Sequence, residues 1–192
     1  MMKSVSTAIA RWLLREGVIL DDDQEMFSYA AFCFLFGLLP VLIAIVLGAI
    51  TGMLFESLLL ILPFMLLRKF CGGFHLNSSI ACFVVSTLVI LTAIGVVSLI
   101  IDLDLVGILS ILVLLSLISI CIFSPIDSPT KKLSPKEKTT FQWTARCLAS
   151  VVVLAFFVLI LLNQRRTGVP IGVGILMTAI LQWPCVIRGY MR

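Results

Sequence analysis

Apolar residues fill most of this chain in long blocks, and short polar interruptions divide them. From Met26 to Leu67 the chain is apolar for roughly twice the ~20 residues that one bilayer crossing needs, so it must turn once. Gly48, Thr51 and Gly52 supply the turn, which sets a first span at 27–47 and a second at 53–67. Pro40 and Pro63 are expected to kink these spans. A polar break at 68–79 precedes a third span at 80–101, and Asp102 and Asp104 mark the next turn before a fourth span at 105–123. Pro125, Pro129 and Pro135 then end helical continuity. Spans at 146–162 and 169–187 flank the polar stretch from Asn163 to Gly168. The pattern predicts an all-α polytopic membrane protein with about six transmembrane helices.

The N-terminus departs from this pattern. Between residues 4 and 20, Val5, Ala8, Ile9, Trp12 and Leu13 recur at helical spacing, with Lys3, Arg11, Arg15 and Glu16 among them. This predicts an amphipathic helix in the membrane interface with Trp12 at headgroup depth. A short soluble helix packed on the cytoplasmic end is the alternative. Charges interrupt the segment too often for a cleavable signal. Asp21 to Glu25 forms a solvated acidic linker, and one such cluster falls short of the paired acidic ligands a magnesium-dependent enzyme needs. The expected organisation is therefore residues 1–25 as amphipathic helix and linker, and 26–192 as one transmembrane domain. Glu56 is expected at the wetted far end of the second span.

Composition strengthens the membrane assignment: 61% of residues are hydrophobic and 12% charged, with mean hydropathy +1.20. No basic run interleaved with aromatics points to nucleic acid. The cysteines at 33, 71, 82, 121, 147 and 185 stand singly. They form no CxxC or Cys/His metal spacing, so no metal, cofactor or disulfide framework is expected. Trp143 and Trp183 near span ends fit an aromatic belt.

Charge sets the orientation. Six spans put both termini on one face. That face receives Lys3, Arg11 and Arg15 before the first span, and Arg68 and Lys69 between the second and third. Lys131, Lys132, Lys136, Lys138 and Arg146 join them after the fourth, and Arg188 and Arg192 at the end. Only Arg165 and Arg166 oppose this set. The positive-inside rule makes the richer face cytoplasmic.

The stretch Arg68-Lys69-Phe70-Cys71-Gly72-Gly73-Phe74-His75-Leu76-Asn77-Ser78-Ser79-Ile80-Ala81-Cys82 holds the protein's one histidine, and Cys82 follows it by seven residues. An imidazole that takes a thiol proton creates a nucleophile able to attack a carbonyl, which makes His75 a candidate base and Cys82 a candidate nucleophile. On a continuous helix the two would lie roughly 10 Å apart along the axis, too far to hydrogen-bond. They meet only if the helix is broken. Gly72 and Gly73 before the histidine, and Asn77, Ser78 and Ser79 after it, supply breakers and N-cap candidates. A helix starting near Asn77 or Ser78 would place Cys82 in or just beyond its first turn, where partial positive charge favours a thiolate. Against this stands the common role of free cysteine as a small buried hydrophobe. A lone ionisable histidine in a membrane protein points the other way. Chemistry alone leaves both readings open.

Arg68, Gly73, His75 and Cys82 stand in the order and spacing of the accessory gene regulator B (AgrB) family, which this sequence resembles. The resemblance extends to overall size, to the following apolar segments and to the polar loop from Ser124 to Pro129 running into lysines. It implies an integral membrane cysteine endopeptidase of a Gram-positive bacterium, which processes a quorum-sensing propeptide of the AgrD type; the charge bias puts both termini and the site at the cytoplasmic surface. It further implies His75 and Cys82 as catalytic residues, Arg68 and Gly73 as supporting ones, and homodimerisation. Arg68 would orient substrate carboxylates or support an oxyanion, and Gly73 would let His75 fold back over the helix start. Anchoring by snorkelling is the blander role for Arg68. Cys71 matches no catalytic position.

Two rivals come from other classes. A non-enzymatic transporter or peptide-export subunit would be expected to carry intramembrane charges and repeated halves, whereas these spans hold few charges and no repeat. A lipid-modifying enzyme acting on phosphorylated head groups would need the second acidic cluster that is missing here.

Overall fold

In a computed structural model that describes residues 2–72, 79–126 and 135–187, every regular element is helical. The order is α1 (Met2–Arg15), a 3-10 turn (Asp21–Asp23), α2 (Gln24–Thr51), α3 (Leu54–Cys71), α4 (Ser79–Asp102), α5 (Val106–Phe123), α6 (Pro135–Leu161) and α7 (Arg165–Ile187). Five of these, α2 and α4 to α7, contain stretches long and apolar enough to cross a bilayer. This is the all-α, multi-pass membrane architecture that the apolar blocks predict. α3 fills the place of the second predicted span, but its 18 residues include Glu56, Arg68 and Lys69.

The chain divides into two compact units, Met1–Ile43 and Ala44–Arg192. In the first, α1 ends at Arg15, earlier than the apolar spacing suggests. The Val18 N–H bonds to the Leu13 carbonyl and the Gly17 N–H to that of Leu14, both at 3.0 Å, which is the double bond pattern of a Schellman stop. A contact of 3.4 Å joins Thr7 Oγ1 to Ser28 Oγ on α2.

In the second unit, the predicted turn forms where expected. Gly52 takes φ +72°, closed to most side chains, and the Met53 N–H reaches back to the Gly48 carbonyl at 2.8 Å. Ser57 Oγ then donates to the Ala44 carbonyl at 3.0 Å, tying the start of α3 to the end of α2. α7 packs against α3, α4, α5 and α6. It is 56% buried over its apolar stretch, against 22–28% for α4, α5 and α6. Glycines permit this approach: a Cβ on Gly174 would stand 2.5 Å from the Leu60 carbonyl oxygen, and one on Gly172 2.7 Å from the Phe156 ring.

The outer helices bury narrow seams. In α5 the buried set is Val106, Leu109, Val113, Ser116 and Ile120, alternating three and four residues apart. Ile108, Ile111, Leu115, Ile118 and Ile122 on the same helix are exposed, as they would be toward lipid tails. The fifth span, expected from 146, begins earlier at Pro135. A proline ends a helix in its interior but suits the first helical position, where its missing N–H costs nothing.

Candidate functional site at one end of the helices

The last turn of α3 is closed by Gly72, at φ +73° and ψ −165°, whose N–H donates to the Arg68 carbonyl at 3.1 Å. A Cβ here would stand 2.5 Å from the carbonyl oxygen of Ile126. This approach brings the segment after α5 onto the end of α3, and the Ile126 N–H donates to the Cys71 carbonyl at 3.0 Å. The same junction is joined by side chains. Gln182 Nε2, on α7, donates to Ser124 Oγ at 2.8 Å, and the Ser124 hydroxyl hydrogen-bonds to Cys71. Because Ser124 accepts from the amide, its own hydrogen is the one available to the sulfur. Gln182 and Cys71 are completely buried and Ser124 is 3% exposed.

Arg68 lies one turn before Gly72. It is half-buried with Nη1 enclosed, and its guanidinium lies 5.7 Å from the Phe64 ring centroid, within cation–π range. Cys185, Cys82 and Cys71 lie within electrostatic reach of the guanidinium, in that order of influence. They come from α7, α4 and α3 respectively. Arg146 on α6 completes the surround by donating from Nε and Nη2 to the Cys121 carbonyl at 3.1 and 2.9 Å. It thereby satisfies a carbonyl left open by the C-terminal turn of α5. Phe70 and Phe141, and Phe123 and Trp183, pack in ring pairs at this end.

The predicted helix break is present: α3 stops at Cys71 and α4 starts at Ser79, which makes Cys82 the fourth residue of α4. Cys82 is half-buried, whereas Cys71 is enclosed. Of the predicted site residues, Arg68 and Cys82 are brought into one neighbourhood. Gly73 and His75 lie outside the described residues, as do Asn77, Ser78, the lysine-bearing stretch 127–134 and the C-terminal Arg188 and Arg192. Cys71 now has a place as the sulfur end of the Gln182–Ser124 chain. Sequence reasoning named Gly72 as a helix breaker but missed Ser124, Gln182 and Arg146 as parts of this junction. Gln182 did leave a signal, an amide alone in an apolar stretch of α7.

The opposite end corrects one expectation. Glu56, expected at a wetted interface, is buried, and its Oε1 pairs with Arg166 Nε at 3.2 Å. It starts the same buried stripe of α3 that ends at Cys71, so packing rather than solvent surrounds it. Arg165 Nη1 pairs with Asp104 Oδ1 at 2.6 Å. Both basic residues that oppose the charge bias are thus matched by acids.

Among the described residues no three His, Cys, Asp or Glu side chains are grouped to hold a metal ion. A cavity of about 290 Å³ between α4 and α7 is lined by Val89, Ala93, Val173, Met177, other apolar residues and Thr92, whose hydroxyl donates to the Leu88 carbonyl. It presents no reacting group. The chemistry available here is that of the thiol and guanidinium at the α3–α4 break.

The sequence model of the family described as Accessory gene regulator B matches residues 6–183. A stretch of 78 residues is 33% identical to AgrB-like protein 1 of Clostridium perfringens (strain 13 / Type A), covering 39% of this chain and 41% of that relative. The match thus spans less than half of the relative's length. No solved structure matches the chain.

Proposed function

The chain belongs to the accessory gene regulator B family, and on that premise we propose that it is a membrane-embedded cysteine endopeptidase acting on an AgrD-like autoinducer propeptide. The observation that carries this reading is the placement of Cys82. It is a half-buried thiol at the start of α4 with the Arg68 guanidinium in electrostatic reach, inside a family match that covers nearly the whole chain.

In this mechanism His75 takes the Cys82 proton, and the sulfur attacks the peptide carbonyl at the junction of signal segment and tail. Arg68 supports the oxyanion as it develops. The C–N bond breaks, His75 returns the proton to the departing amine, and the acyl group remains on Cys82 as a thioester. A cysteine or serine within the bound propeptide then attacks the thioester. Cys82 is released, and the signal segment closes into a thiolactone or lactone. Exclusion of water favours ring closure over hydrolysis, which is a physical reason for a site in a membrane protein.

The propeptide is made in the cytoplasm, so the reading requires the Arg68–Cys82 end to face it. The charge bias supports that orientation, with both termini on the same side and only Arg165 and Arg166 opposing it. The test is tail release from propeptides by the purified protein in lipid vesicles, comparing wild type with Cys82→Ala, Cys82→Ser and His75→Ala. Wild type should release the tail and the three variants should not. Cleavage by Cys82→Ala would reject the thiol mechanism and favour a transporter or export subunit.

A further inference from the structure

An amide enclosed among apolar helices needs a reason. Gln182 is completely buried, its Nε2 donates to Ser124 Oγ, and its Oε1, equally enclosed, has no hydrogen-bond partner among the described residues. An apolar side chain of similar volume would fill the space without leaving that oxygen unsatisfied. Packing therefore gives no reason for glutamine at 182. The hydrogen bond does, because of what lies beyond it. Ser124 bonds Cys71, and the backbone on either side is tied by Ile126 N–H to the Cys71 carbonyl and Gly72 N–H to the Arg68 carbonyl.

We propose that Gln182, acting through Ser124, is a positioning residue that holds the last turn of α3 against the Ser124–Ile126 segment and so fixes Arg68 relative to Cys82. This rests on the peptidase reading above. The direction of the chain is essential. The amide N–H donates to Ser124, which leaves the Ser124 hydrogen for Cys71. A carboxylate at 182 would take that hydrogen from Cys71, whereas a carboxylic acid would donate as the amide does. Glutamate in place of Gln182 is therefore a working substitute only while protonated.

The experiment measures propeptide cleavage in lipid vesicles for wild type, Gln182→Met, Gln182→Glu and Ser124→Ala across pH, alongside size-exclusion behaviour in detergent. Gln182→Met is expected to stay monodisperse and lose about 100-fold in kcat with KM little changed, as for a small misplacement of a catalytic group. Gln182→Glu, expressed as a ratio to wild type, is expected to be most active at the acid end and to fall as pH rises. Arg68, Cys71, Cys82, Cys121, Arg146 and Cys185 are the titratable and charged groups at this junction. They are common to both proteins, so the ratio removes their contribution. Wild-type kcat in Gln182→Met, or a pH-independent Gln182→Glu ratio below that of Gln182→Met, would overturn the proposal. If Gln182→Met aggregates, Ser124→Ala carries the test, with the same loss expected and unchanged kcat overturning it. If wild type cleaves no propeptide, the peptidase reading is what fails. Labelling of Cys82 by iodoacetamide, located by peptide mass, then decides. A changed labelling rate in Gln182→Met supports positioning of Arg68 relative to Cys82 by Gln182, and an equal rate overturns it.

Discussion

Replacing Gly72 with alanine perturbs the junction at its tightest point. Two costs arise together. The φ +73°, ψ −165° conformation lies in a region essentially reserved for glycine, which costs another residue about 1–3 kcal/mol. The new Cβ would also stand 2.5 Å from the Ile126 carbonyl oxygen, backbone that cannot rotate away, so the Ser124–Ile126 segment must shift. That shift breaks the bond from Ile126 N–H to the Cys71 carbonyl, worth about 1 kcal/mol. The sum is about 2–4 kcal/mol. At 1.4 kcal/mol per factor of ten, the population of the joined arrangement falls by about 30- to 700-fold. Gly52→Ala is the control, because its φ is nearly the same at +72° but nothing lies within 4 Å of its Cβ position. It should cost only the conformational penalty of about 1–2 kcal/mol. The assay is thermal unfolding of both variants in detergent, paired with propeptide cleavage. Gly72→Ala should melt lower than Gly52→Ala and lose activity more steeply. Equal melting temperatures would refute the claim that the approach of Ile126, and not backbone conformation alone, makes glycine necessary.

Two further outcomes follow from the same geometry. Arg166→Ala leaves the buried Glu56 carboxylate without its partner and should destabilise by about 1–3 kcal/mol, whereas Arg165→Ala frees an exposed Asp104 and should cost under about 1 kcal/mol. The order of the two in a detergent melt checks this, and a larger effect at Arg165 contradicts it. Cleavage should be insensitive to EDTA and lost on alkylation of Cys82; inhibition by EDTA, reversed by added divalent cation, would contradict a thiol mechanism.

The apolar blocks made the helices legible because lipid demands long runs without charge, and the turns stood out wherever Gly52, Asp104 or Asn163 interrupted them. The inward faces were not legible. Helices such as α5 are apolar all round, so nothing in the sequence separates buried Val113 from exposed Leu115. The break between Cys71 and Ser79 could be read from its glycines and polar residues. What stands behind it could not, since Ser124 and Gln182 approach Cys71 through tertiary packing that no local pattern encodes. Glu56 went astray for a related reason: its partner Arg166 lies 110 positions along the chain, and only the α3–α7 contact brings them together.

The central claim is that Cys82 carries the substrate as a thioester. The most direct measurement is the intact mass of the protein after brief incubation with a propeptide whose internal nucleophile has been replaced by alanine, so that the acyl group cannot cyclise away. Wild type should gain the mass of the propeptide without its tail, on the peptide containing Cys82; Cys71→Ala should gain it on the same peptide but more slowly, and Cys82→Ala and His75→Ala should gain none. An adduct on Cys71, or tail release with no dependence on Cys82, would contradict the account.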